Sequence, residues 1–298
     1  MNKYTKHSFY TTLIFGLVFL SLSTFGQLKP IAAQYFQNPY FSNAAFAGAH
    51  KGFNLNLAYS FKSENLQGAS SLQSFSGDFG AGKSGLGIVF QNDKNGLLST
   101  KTFKFTYAYH VKISDSKSLH FGISPSLTQV RFDVDNAQIA DPSDPFPAEF
   151  NSKKADADVD FGTALTSNKL TLQISLPNLR KFIAGSDDGA FNQVRYLAAS
   201  YEFGNPDTWT AEPIIAYSKI TNAPSRKDLG LKLNFMDKQF SVLSLYHSDK
   251  SFSAGASVFL KKQGFVIQGV YNTAQKIYTV QNKGALELSL RTTFGAKR

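Results

Sequence analysis

Residues 103–113 place a bulky apolar side chain at every second position. Phe103, Phe105, Tyr107, Tyr109, Val111 and Ile113 alternate with Lys104, Thr106, Ala108, His110 and Lys112. Period two marks a strand with two unlike faces. A sandwich strand buries its apolar face and stops after about five or six residues. This run is about twice as long, which is the length a tilted membrane strand needs.

The pattern recurs along the chain. Phe53, Leu55, Leu57, Tyr59 and Phe61 alternate with Asn54, Asn56, Ala58 and Ser60. Leu86/Ile88/Phe90, Leu119/Phe121/Ile123/Leu127, Leu170/Leu172/Ile174/Leu176, Trp209/Ala211/Ile215/Tyr217, Leu229/Leu231/Leu233/Phe235 and Leu286/Leu288/Leu290/Phe294 follow the same rule. Less regular segments near 71–79, 158–166, 193–203, 239–247, 251–260 and 264–272 bring the count to about fourteen, an even number. The opposite faces carry Gly, Ser, Ala, Asn and Thr with scattered charges.

In a soluble barrel the apolar set would point inward, and fourteen strands would enclose more space than side chains fill. Turned outward, the same set meets lipid, and closure removes the unpaired edges that hydrocarbon does not tolerate. The expected fold class is all-β: a transmembrane outer-membrane β-barrel of about 14 antiparallel strands, preceded by an N-terminal signal peptide. Composition agrees. Aromatics at 14% beside charges at 17% exclude a disordered chain or a coiled coil. Zero cysteine excludes disulfides, thiolate zinc sites, Cys nucleophiles and a lipid-modified N-terminal Cys.

The first residues read as a secretion signal. Lys3 and Lys6 precede the short apolar run Leu13–Leu22, and Ser23-Thr24-Phe25-Gly26 supplies small residues for cleavage before Gln27. The expected organisation is 1–26 signal peptide, 27–50 a periplasmic strap or a piece folded into the lumen, and 51–298 barrel. Links are expected to alternate in length. Those at 62–70, 91–99, 132–156, 177–192, 218–226 and 273–283 read as long. Those at 80–84, 114–118, 166–169, 204–207, 236–238 and 261–263 read as short, and 248–250 is short where a long one is due. Outer-membrane barrels put short turns in the periplasm. The 132–156 link holds Asp141-Pro142-Ser143-Asp144-Pro145-Phe146-Pro147, read as hostile to helix and central strand.

Little in the sequence points to catalysis. His50, His110, His120 and His247 are the candidate bases, and they read as hydrogen-bonded lumen groups; no G-x-S-x-G, P-loop, H-E-x-x-H or EF-hand string occurs. Asp156, Asp158 and Asp160 share one face, read as a solvated charge cluster rather than a Ca²⁺ site. Lys104, Lys112, Lys232, Glu287 and Arg291 are expected to pair across the interior. Lys and Arg are dispersed, which fits anionic lipid or an acidic partner better than nucleic acid. No catalytic residue, metal or cofactor is assigned.

The stretch Asn38-Pro39-Tyr40-Phe41-Ser42-Asn43-Ala44-Ala45-Phe46-Ala47-Gly48 resembles the opening of the PorP/SprF family of type IX secretion membrane proteins, with Ala44 and Phe46 where the family has Pro and Tyr. Gly85-Leu86-Gly87, Asn92-Asp93, Tyr107-Ala108-Tyr109, Leu119–Gly122, Asp141-Pro142-Ser143-Asp144-Pro145 and Leu176-Pro177-Asn178-Leu179 follow in the family's order. The family motif therefore falls on Asn38, Pro39, Asn43, Ala45, Gly48, Asp141, Pro142, Asp144 and Pro145. The resemblance implies an outer-membrane barrel of the type IX secretion and gliding machinery. It would serve secretion or surface attachment of adhesins and other proteins with a C-terminal sorting domain. The implied partners are that cargo and a periplasmic ring or peptidoglycan-binding lipoprotein. A passive pore for small solutes is the alternative.

Overall fold

A computed structural model describes residues 34–62, 69–135, 137, 144–184, 194–220, 225–273 and 284–295. The expected signal peptide, Asp141 and Pro142 lie outside them. The strands are β1 (Gly52–Lys62), β2 (Ser71–Ala81), β3 (Ser84–Asn95), β4 (Leu98–Ser114), β5 (Lys117–Phe132), β6 (Asp156–Ser167), β7 (Leu170–Leu176), β8 (Val194–Tyr201), β9 (Phe203–Asn205), β10 (Trp209–Ile220), β11 (Arg226–Phe235), β12 (Phe240–His247), β13 (Phe252–Leu260), β14 (Phe265–Asn272) and β15 (Ala285–Phe294). Each pairs antiparallel with its neighbours in sequence, and β15 returns to β1. Both β8 and β9 lie against β10, separated by Glu202, so they form one interrupted strand of a closed fourteen-strand barrel. Closure satisfies the backbone in a medium that offers no water. Among the described residues, no helix is long and apolar enough to cross a membrane.

The pleat sorts the side chains as the alternation requires. Phe103, Phe105, Tyr107 and Tyr109 point out of the barrel, each 41–47% exposed, while Thr106 and Ala108 between them are fully buried. Trp209, Phe235 and Phe240 are cross-strand neighbours beside the short turns, with Phe203 close by on β9, forming part of an interfacial aromatic belt.

Three expectations need correction. The 91–99 link is not a long loop: β3 runs to Asn95, β4 starts at Leu98, and Gly96 turns the chain at φ 63°. At 17 and 16 residues, β4 and β5 exceed what the bilayer demands. Second, the Pro-rich run does admit a helix, α2 (Phe146–Ser152), because Pro147 sits in its first turn, where no backbone donor is needed. Third, the lumen is not polar throughout. Ile214, Leu243, Leu245 and Val270 form a buried cluster on the inward faces of β10, β12 and β14, with Phe36 packed against it.

Candidate functional site

The inward-facing strap, residues 34–50, is the most elaborated part of the lumen. It contains α1 (Gln34–Gln37) and two single 3-10 turns, Pro39–Phe41 and Ala44–Phe46. Asn38 and Asn43 start these turns, each accepting a hydrogen bond at Oδ1 from the backbone N–H two residues on (Tyr40 and Ala45). Each asparagine then uses its amide nitrogen to hold the wall. Asn38 donates to Ser76 Oγ at 3.0 Å. Asn43, 1% exposed, donates to the carbonyls of Thr163 and Ile174 at 3.2 and 3.1 Å, bridging β6 and β7. One residue type serves both purposes because it carries donor and acceptor on one short side chain.

Further fasteners follow the chain. Pro39 opens the first turn and brings Tyr40 into the wall of β3 and β4. Tyr40 donates its hydroxyl to Thr106 Oγ1 at 2.8 Å. Burial pushes that hydroxyl's pKa well above its usual value, so it stays a donor. Ala45 is fully buried, Gly48 adopts φ 66°, and the Gly48 N–H donates to Asp78 Oδ2 at 2.9 Å. Phe46 stacks on His120 with ring centroids 6.2 Å apart.

Glycines on the wall make the strap fit. A Cβ on Gly85 would sit 1.9 Å from the Ala47 carbonyl oxygen, and one on Gly122 2.2 Å from the Ala44 carbonyl carbon. Gly87 and Gly162 leave the same room for Tyr40 and Asn43. The signal was present in the sequence: glycine inside a strand pattern marks a close approach of something else.

His110 and His120 meet at the same place. They are cross-strand neighbours whose Nδ1 atoms are 2.8 Å apart. His110 Nε2 lies 3.1 Å from the Ala47 carbonyl, which only accepts, so that nitrogen carries the hydrogen. With neutral rings, His120 Nδ1 then donates to His110, and Thr166 donates to His120 Nε2 at 2.8 Å. The pair is a latch between wall and strap.

The other candidates disperse. Asp144 accepts from Phe146 N–H at the start of α2, and Pro145 immediately precedes that helix, both far in sequence from the strap. The three aspartates of β6 fasten a second wall element. Asp156 pairs with Arg180, Asp158 accepts from Arg180 N–H, and Asp160 accepts from Asn178 N–H and pairs with Lys104. Arg180 lies on α3 (Leu179–Ala184), so the carboxylates anchor the segment after β7. No group of three His, Asp or Glu able to hold a metal occurs among the described residues.

Of the charges expected to pair across the interior, Lys104 does so, with Asp160. Lys112 pairs with exposed Asp115 in its own turn, Glu287 accepts from Asn272, and Arg291 donates to the Gln37 carbonyl of α1. Asp228, His247 and Ser253 stand in line, with Asp228 Oδ1 2.7 Å from Nδ1 and Ser253 Oγ 2.8 Å from Nε2. The order is that of a hydrolase triad. Ser253 is fully buried, however, and its hydroxyl lies against Asn272 Oδ1, which leaves no place for a substrate carbonyl. The chain is a packed polar network.

No curated protein matches the sequence. Among solved structures, the chain is similar to CymD, a monoaromatic hydrocarbon channel, at 12% identity over 91% of this chain and 95% of that one, with a TM-score of 0.53. At that identity the likeness concerns the barrel fold alone. The outer membrane protein Omp33 of Acinetobacter baumannii aligns at 7% identity over 83% of this chain and all of its own, with a TM-score of 0.48. The sequence matches the family described as type IX secretion system membrane protein PorP/SprF over residues 24–292, nearly its whole length. With an outer-membrane type of barrel in hand and that match spanning both strap and strands, the chain belongs to the PorP/SprF family.

Proposed function

We propose that this family member is a non-enzymatic, plugged outer-membrane barrel of the type IX secretion and gliding machinery. It supports secretion or cell-surface attachment of adhesins and other proteins with a C-terminal sorting domain. The observation that carries the reading is the strap, which fastens to β2, β4, β6 and β7 and sits where a solute pathway would run. Fourteen strands enclose more than their own side chains fill, and a dedicated segment takes up the space. A structure built to hold its own lumen shut suits an anchor better than a pore.

On this reading the 132–156 and 177–192 links meet the secreted partner outside. The short-turn end and the strap face the periplasmic ring or a peptidoglycan-binding lipoprotein. The burial of Ser253 against Asn272 speaks against a hydrolase role for the Asp228–His247–Ser253 row. Deleting the gene and immunolabelling adhesins and sorting-domain proteins on intact cells tests the proposal. Surface label is expected to fall sharply and to return on complementation; undiminished label rejects the reading.

A further inference from the structure

At the short-turn end the lumen opens as a cavity of about 840 Å³, walled by the strand ends nearest those turns and by Phe36, Gln37, Asn38 and Tyr40 of the strap. Its size suits a small ligand or the end of a peptide. Four Lys and Arg side chains line it against three carboxylates, a surplus of one positive charge.

Lys238 pairs with Glu202, and among the described residues the other three, Lys169, Lys232 and Arg291, have no carboxylate within ion-pair distance. Arg291 has as its protein contact the Gln37 carbonyl, at 2.9 Å, and no carboxylate within 4.0 Å among the described residues. Lys232 faces Glu212 across the strand pair, yet Glu212 accepts from Ser200 and lies beyond ion-pair distance of Lys232. The two cations are near enough for their charges to repel. Burial, and after it the charge of Arg291, lowers the pKa of His50, so that imidazole is neutral near pH 7 and adds no charge. Beside Arg291 across the strand pair stands Asn56, 4% exposed, whose Nδ2 has no hydrogen-bond partner. Buried amide donors are rarely left unused.

We propose that this cavity binds a single carboxylate group entering from the short-turn end. The Arg291 guanidinium and Asn56 Nδ2 are its donors, and Lys232 is the supporting charge. The planar fork of arginine matches a carboxylate with two parallel hydrogen bonds. One negative charge cancels the surplus, whereas a dianion would overshoot it and meet the three resident carboxylates. The site rests on the barrel's geometry and not on the secretion reading, so its failure leaves that reading intact.

Calorimetric titration of the full chain in detergent at low salt tests the site with two monoanionic probes: butyrate for a free carboxylate and N-acetyl-trialanine, with its single C-terminal carboxylate, for one carried on a peptide. Saturable binding of either supports the site, and the tighter probe names the source. Arg291→Gln is expected to weaken that binding at least about tenfold, and Arg291→Lys less. Asn56→Leu removes only an unpartnered donor, so it keeps the fold and also weakens binding. Retained heat-modifiable gel migration certifies each barrel. The proposal is overturned if neither probe binds, or if folded Arg291→Gln and Asn56→Leu bind as the parent does.

Discussion

Leucine at both Gly85 and Gly122 is expected to drive the strap out of the lumen. A single added carbon already falls 1.9 Å from the Ala47 oxygen and 2.2 Å from the Ala44 carbonyl carbon. Backbone lies on both sides of each contact, so no rotamer change relieves it. Overpacking alone costs about 1–3 kcal/mol per site. Separation then also breaks the Asn43 and Tyr40 hydrogen bonds. The chain has no cysteine, so Ala45→Cys gives a clean reporter at a fully buried position. Maleimide labelling at position 45 is expected to accelerate by roughly a hundredfold or more in the double-leucine variant, the equivalent of about 3 kcal/mol. The barrel's own migration should persist, because the strands pair without the strap. Equal labelling rates would mean that the strap is not seated on these glycines.

The second large effect concerns the opposite face. Leu57 lies at the centre of β1, 52% exposed, between outward Phe53 and Phe61. Leu57→Arg puts a guanidinium into hydrocarbon, and the expected loss is about 2–4 kcal/mol if the site is near the bilayer midplane. Urea titration of folding into lipid vesicles reads it as a lowered midpoint. The chain supplies its own control. Lys104 stands between outward Phe103 and Phe105, yet it faces inward, where it meets Asp160. Charge is tolerated on one face and costly on the other; a variant as stable as the parent would place Leu57 away from lipid.

The barrel was legible because lipid and lumen impose opposite demands on alternate residues. In β4 those demands produce Phe103 to Ile113 with hardly a lapse. Where a strand leaves the bilayer the demand ends, and so does the signal. Gln91 to Asn95 looks like a loop because water meets both its faces, although Asn95-Gly96 carried the hairpin signature that corrects it. β12, expected near 239–247 and found at Phe240–His247, is a less regular segment for the opposite reason. Leu243 and Leu245 point inward against the cluster that receives Phe36, so both faces are apolar and the alternation blurs.

The strap was visible as an unusual Asn-, Ala- and aromatic-rich segment, but its seat was not. Asn43 reaches Thr163 and Ile174 across more than a hundred residues of chain. No local pattern encodes such a contact. The inward glycines did carry the hint, one residue at a time. The histidine pair was readable only as two lumen groups near one turn, because its role depends on the Ala47 carbonyl of a separate segment.

Single-channel recording in planar bilayers tests the central claim most directly. The parent protein is expected to insert silently, and a chain lacking residues 34–49 is expected to show a stable conductance, since a fourteen-strand wall without its filling is a water-wide opening. A parent that conducts steadily, at the level of the strap-deleted chain, would contradict the account.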